Sequence, residues 1–244
     1  MNISTDILWA LGILALGVCF EVMRITWYLV STKRLVNVAQ KFEQRNLSAA
    51  LRILFIGDSV GCSTGASHER YSIPGRLGAD FPDAHIENLS EGKMRLSRAV
   101  RLLQEVCAKK SAPFDIVILL VGGMNIVACT PLWLVRRTLE KAVALSKECG
   151  RTMVLIGPNN TGGVPLYRFP VSNFYALRAR EFDILYRNIA KENGVQYVSL
   201  FEEHEEVSSG RYVFSPDKTH PNDEGYGIWY TKIKEIITAA LEKL

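Results

Sequence analysis

Residues Leu51 to Gly65 read LRILFIGDSVGCSTG. Ile53 to Ile56 is an unbroken apolar run with β-branched and aromatic members, and it stops at Gly57-Asp58-Ser59. A short apolar run closed by a turn signal predicts a strand buried on both faces. A serine released at the carboxyl end of such a strand stands where open α/β sheets hold their ligands. Gly57 permits the sharp exit that turns the serine side chain and its backbone N–H toward one point. Asp58, next to it, is expected to face away by strand alternation and to bond the loop.

Outward from this stretch the pattern alternates. Helical spacing runs from Tyr71 to Asp80, through Leu96 to Val106, from Pro131 to Glu148, from Phe174 to Glu192, and from Tyr226 to Ala240. Between these lie short strands at His85–Asn88, Ile116–Val121, Met153–Ile156 and Gln196–Leu200. Strands separated by helices imply βαβ units. The expected fold is a three-layer α/β/α sandwich, flavodoxin-like, with about five parallel strands, plus an N-terminal hydrophobic helix. Its chemistry belongs in the loops at the carboxyl ends of the strands.

The chain has 244 residues, 48% hydrophobic and 22% charged, with a net charge of +4. That suffices for one sizeable core and a short appendage. Basic residues do not alternate with aromatics along a face, and no nucleic-acid-binding signature occurs, so no nucleic-acid partner is expected. The five cysteines are scattered without CxxC spacing. They suggest neither a zinc site nor a disulfide framework, and they favour a reducing compartment.

Ile7 to Phe20 is uncharged and apolar, and apolar character resumes after Glu21 and Arg24 through Val30. Taken together, residues 7–30 are long enough to span a bilayer. Glu21 and Arg24 can neutralise one another on one helix face, with Trp27 and Tyr28 at the interface. A helix packed on the domain is one rival. A cleaved leader is another, although no basic residue precedes Ile7 and no Ala-x-Ala site follows. Lys33, Arg34, Lys41 and Arg45 follow the segment, which favours a cytoplasmic catalytic domain. The expected organisation is an anchor helix at 1–32, a linker arm at 33–50 and a catalytic domain at 51–244.

Two further markers lie at strand or helix ends. Gly123-Met124-Asn125 follows a buried strand and a first glycine, Gly122, and Asp217-Lys218-Thr219-His220 precedes the last helix. With Gly57-Asp58-Ser59-Val60, these resemble the nucleophile, Gly-x-Asn and Asp-x-x-His motifs of the GDSL/SGNH hydrolase family. The likeness extends from Arg52 to about Ile237 and includes Arg178-Ala179-Arg180, Phe182-Asp183 and Gly225-Tyr226. Ile126 stands where the family usually has Asp after the asparagine.

The resemblance implies an esterase or lipase that needs no metal or cofactor. Ser59 is the expected nucleophile, His220 the base and then the acid, and Asp217 the residue that orients it. The oxyanion hole is expected from the Ser59 and Gly92 backbone N–H groups and the Asn125 amide. Gly157 to Tyr175, with three prolines, is long enough to be functional. Its Tyr167, Phe169, Phe174 and Tyr175 are candidates for an acyl pocket. A lipid or lysophospholipid-like ester is the favoured substrate. A carbohydrate acetyl ester, acyl transfer to another alcohol, and an inactive membrane-tethered binding protein are the alternatives.

Overall fold

The computed structural model describes residues 5–109, 113–201 and 213–242. Its centre is the set of apolar runs that the sequence marks as strands: β1 (Arg52–Gly57), β2 (His85–Asn88), β3 (Phe114–Leu120), β4 (Gly150–Ile156) and β5 (Gln196–Val198). They form one parallel sheet in the order β2-β1-β3-β4-β5.

Alternation along the strands divides the core. Leu54, Ile56, Val117, Leu119 and Leu155 pack beneath α3 (Leu96–Ala108), α5 (Leu132–Cys149) and α6 (Val171–Asn193). Ile53, Phe55, Ile118, Val154 and Ile156 pack on the other side, against α2 (Ile73–Asp80) and α7 (Asp223–Leu241). Both sheet faces are therefore covered, and the strands carry apolar residues at successive positions.

The register aligns the strand ends that carry chemistry. Gly57 pairs with Leu120, Leu120 with Ile156 and Ile156 with Val198. Strand order reverses direction between β1 and β3, so the crevice for a ligand opens above their carboxyl ends. The Gly-Gly-Met-Asn turn forms a short helix, α4 (Gly123–Val127). Gly122 precedes it at φ +147°, and a Cβ there would lie 2.5 Å from the Tyr186 hydroxyl oxygen. Only glycine fits that approach.

The amino-terminal segment differs from its expected bounds. A single helix, α1, runs from Thr5 to Val38. Neither glycine nor proline interrupts residues 18–38, so nothing stops the helix at 32. Residues 5–20 are exposed throughout, whereas Glu21, Arg24, Ile25, Tyr28, Thr32, Leu35 and Val36 form a stripe turned to the domain. The following arm is stitched down rather than free. Gln44 bridges to Ile86, and its side-chain amide donates to the carbonyls of Phe81, Pro82 and Ala84. That covers the edge strand β2.

A second correction concerns the cysteines. Cys107 and Cys149 form a disulfide, with Cα atoms 5.5 Å apart. They lie near the carboxyl ends of α3 and α5, which pack side by side. A pairing across 42 residues leaves no local spacing signature in the sequence. Cys19, Cys62 and Cys129 are free. Thiol titration of the unfolded chain is expected to count three groups without reductant and five with it. Five in both conditions would refute the bond.

Candidate active site

Ser59 follows β1 in a tight turn, with Thr64 N–H donating to the Ser59 carbonyl at 3.0 Å. Its hydroxyl oxygen lies 2.8 Å from His220 Nε2. His220 sits at the end of a narrow loop held by Ser215 N–H to His220 O (2.8 Å) and Asn222 N–H to Val213 O (3.0 Å). The two loops meet closely. Gly65, at φ +93°, passes so near the His220 loop that a Cβ would stand 2.4 Å from the Pro221 carbonyl oxygen. Tyr226 of α7 then donates across the junction to the Thr64 carbonyl at 2.8 Å.

Asp217 completes the chain of contacts, its Oδ2 2.6 Å from His220 Nδ1. The carboxylate is fully buried. Oδ1 accepts from the Ser215 hydroxyl (2.8 Å) and from the Thr219 and His220 backbone N–H groups (3.0 Å each). Burial alone would push its pKa up. The hydrogen bonds and charge of His220, with the Ser215 hydroxyl, outweigh that and hold it well below the ordinary carboxylate range. An ionised carboxylate on Nδ1 fixes the tautomer that leaves Nε2 free to accept the Ser59 proton.

Ser59 and His220 open onto a cavity of about 250 Å³, walled mainly by apolar side chains. Val60, Met124, Val127, Val164, Leu166 and Trp229 contribute from the domain. Leu29, Thr32 and Val36 contribute from α1. The helix is fastened there: Arg24 ion-pairs with Glu21 and donates to the Leu166 carbonyl at 2.9 Å, and Thr32 Oγ1 lies 3.0 Å from Asp217 Oδ2. Among the described residues, Lys93, at φ +61°, is the one lysine or arginine on the cavity wall.

Several expectations need correction. Of the four aromatic candidates, Tyr167 alone lines the cavity. Phe169 and Phe174 are exposed, and Tyr175 packs on Tyr167 at 4.7 Å between ring centroids. Gly92 is exposed and lies against Val36 instead of lining the cavity, where Lys93 stands.

Asn125 is also turned elsewhere. Its Oδ1 accepts from Leu96 N–H at 3.1 Å and its Nδ2 approaches Thr130 Oγ1 at 3.3 Å. It caps the start of α3, while Met124 reaches the cavity. Read one position earlier, the motif is Gly122-Gly123-Met124-Asn125. Methionine then holds the expected asparagine's place, and Asn125 does a backbone-accepting job that a carboxylate could share.

Asp58 does bond its loop, Oδ1 accepting from Val60 N–H at 3.1 Å. It does not face away, however; it lines the cavity beside Ser59. The chain leaves the strand geometry at Gly57, so alternation no longer governs the next residue.

A helix packed on the domain was a rival reading of the sequence, but the contacts of α1 with the site were not expected. Their signal was present: Glu21, Arg24, Tyr28 and Thr32 recur at three- and four-residue intervals within an apolar segment. That places every one of them on a single helix face.

A hydroxyl, an imidazole and a buried carboxylate joined in series, above a parallel sheet and beside an apolar cavity, define a hydrolase-type site. Residues 55–228 match the GDSL-like Lipase/Acylhydrolase family. The chain belongs to that family, and with it to the carboxylic ester hydrolases. No curated protein sequence matches it.

Among solved structures it is similar to a lipolytic protein of the G-D-S-L family from Veillonella parvula. The TM-score is 0.67 at 20% identity, covering 78% of this chain and 99% of that one. It is also similar to the psychrotrophic esterase EstA from Pseudoalteromonas sp. (TM-score 0.62, 15% identity, 78% and 98% covered). A third is a catalytic mutant of an acetylxylan esterase from Geobacillus stearothermophilus (TM-score 0.59, 18% identity, 79% and 96% covered). These likenesses concern the fold.

Burial pushes the Asp58 pKa up to about 6, partly opposed by the Val60 N–H and by His220. The unfolded value is near 3.9. Since the folded value is the higher one, the stability linked to this group is fully present below about pH 4. It is lost as pH rises through 6. Asp58→Asn keeps the Oδ1 acceptor and removes the charge. Its thermal midpoint should exceed that of the native chain at pH 8, by on the order of 2–3 kcal/mol of stability. The difference should vanish below pH 4; a gap independent of pH would contradict the assignment.

Proposed function

We propose that this chain is a membrane-anchored serine ester hydrolase that cleaves lipid-borne acyl esters through an acyl-serine intermediate. The observation that carries the reading is the unbroken Ser59–His220–Asp217 series at the mouth of an apolar cavity walled partly by α1.

The chemistry follows from those groups. His220 Nε2 takes the Ser59 hydroxyl proton as Oγ bonds to the ester carbonyl carbon. The carbonyl electron pair moves to oxygen, and Asp217 stabilises the imidazolium. The Ser59 backbone N–H has no acceptor among the described residues and is the donor best placed for that oxyanion. Collapse expels the alkoxide, which leaves with the proton from His220. Water then repeats the sequence on the acyl-serine and releases the acid, restoring Ser59.

Four features favour a lipid ester. The cavity wall is predominantly apolar. The free half of α1 is exposed and apolar, and the helix is long and apolar enough to cross a bilayer. Beside its exit from the domain, where Arg168 meets Glu21 at 3.7 Å, Phe169, Val171, Phe174 and Leu177 are also exposed. Such a rim suits the acyl boundary of a membrane. Lys93 adds a cation suited to an acidic headgroup.

On topology, the basic residues after α1 favour a cytoplasmic domain, whereas the Cys107–Cys149 bond favours an oxidising compartment. Acyl transfer to another alcohol would use the same intermediate and differ in the acceptor alone.

Ser59→Ala should lower kcat on p-nitrophenyl esters by about 10⁴-fold or more while leaving the thermal midpoint near that of the native chain. Retained turnover would defeat the nucleophile assignment. Lys93→Ala should raise KM several-fold for an anionic lysophospholipid and leave a neutral p-nitrophenyl ester unaffected. An equal effect on both substrates would remove the headgroup role.

A further inference from the structure

The amino-terminal helix carries a contact that anchoring does not require. We infer that α1 is a working part of the active site: Thr32 is a positioning residue for the Asp217 carboxylate, and Leu29 and Val36 form one wall of the acyl subsite. This rests on the ester-hydrolase reading and deepens it.

A buried carboxylate needs donors on both of its oxygens. Asp217 Oδ1 is shared by three donors, whereas Oδ2 faces His220 Nδ1 and, from outside the domain, the Thr32 hydroxyl at 3.0 Å. The same hydroxyl oxygen is 3.0 Å from the Tyr28 carbonyl. Of the two acceptors the carboxylate is charged, and hydrogen bonds to ionised acceptors are the stronger. A donor on Oδ2 fixes the rotation of the carboxylate about its last bond. That rotation sets the direction in which it holds the imidazole. It also shares the negative charge that would otherwise rest wholly on the His220 contact.

Helix geometry supplies the second half of the inference. Leu29, Thr32 and Val36 lie three and four apart, so a residue set that places Thr32 over Asp217 must also turn Leu29 and Val36 to the same side. Both line the cavity, and Val36 reaches the Gly92 turn. Docking is held by Arg24, whose side chain is 9% exposed and bonded to Leu166 O on the opposite cavity wall. The helix therefore spans the cavity edge from the 164–167 loop to the Gly92 turn. An acyl chain bound next to Ser59 touches the same helix that continues, through residues 5–20, away from the domain. The subsite is thereby continuous with the apolar face of that helix, which gives a lipid ester a path to the serine.

The test uses the full chain in detergent micelles. Thr32→Val removes the hydroxyl at nearly constant shape, Thr32→Ser restores it, and Thr26→Val removes an exposed hydroxyl that bonds the Val22 carbonyl alone. For p-nitrophenyl butyrate, Thr32→Val should lower kcat/KM about ten-fold, the lower end for one hydrogen bond to a charged group. It should move the acid limb of the pH profile upward, because an unshared carboxylate favours the imidazolium. Thr32→Ser should recover both quantities, and Thr26→Val should change neither. Independently of turnover, the low-field proton resonance of the Asp217–His220 hydrogen bond should shift in Thr32→Val alone. Val36→Trp should raise KM for a decanoyl ester several-fold more than for an acetyl ester; an equal rise for both would remove the acyl-wall role.

If Thr32→Val matches the native chain in rate, pH profile and resonance, the role of α1 falls while the hydrolase stands. If the native chain shows neither turnover nor the resonance, the hydrolase reading falls and this inference with it.

Discussion

A carboxylate with no solvent exposure must find its compensation inside the protein, and Asp217 is that group here. An unpaired charge in such a place is far too unfavourable to persist. The surrounding structure meets the demand with two hydroxyls, two backbone N–H groups and an imidazole. Each partner is fixed by something larger. The narrow 213–222 loop presents the backbone donors, the Tyr226 hydroxyl of α7 holds the serine loop at the Thr64 carbonyl, and β1 delivers the serine that the imidazole faces. The local electrostatics thus tie the last loop of the chain to its first strand. The sheet register makes the meeting possible by ending β1 and β3 at one level.

Asp58 shows the opposite economy. It is buried beside Ser59 with backbone N–H groups for donors, and its ionised form is disfavoured. Two acids within one site therefore sit in contrasting environments, one drawn strongly toward ionisation and one held back from it. That separation follows from the number of donors around each, since both are withdrawn from water. The apolar cavity sharpens both effects by excluding the solvent that would otherwise screen them.

The strands and the positions of Ser59, Asp217 and His220 were legible because their signals are local. Ile53–Ile56 and Ile116–Leu120 are short apolar runs between helical periods, and Asp217 and His220 share one loop. Less legible was anything requiring two distant segments to meet. The Cys107–Cys149 bond depends on α3 packing beside α5, and the partner of Asn125 is a backbone N–H at the start of another helix. The Gly-Gly-Met-Asn turn shows how a one-residue register decides which side chain reaches a cavity: Met124 does, and Asn125 does not. In α1, hydropathy obscured a second message, because a strongly apolar average hides a stripe of polar side chains with the period of a helix face.

If His220 makes Ser59 nucleophilic, an alkyl fluorophosphonate followed by peptide mass spectrometry should reveal it. One adduct is expected, on the Ser59 peptide, formed slowly or not at all when His220 is replaced by alanine. Hydrolysis of esters by a chain that acquires no adduct at Ser59, or acquires it equally well without the imidazole, would contradict it.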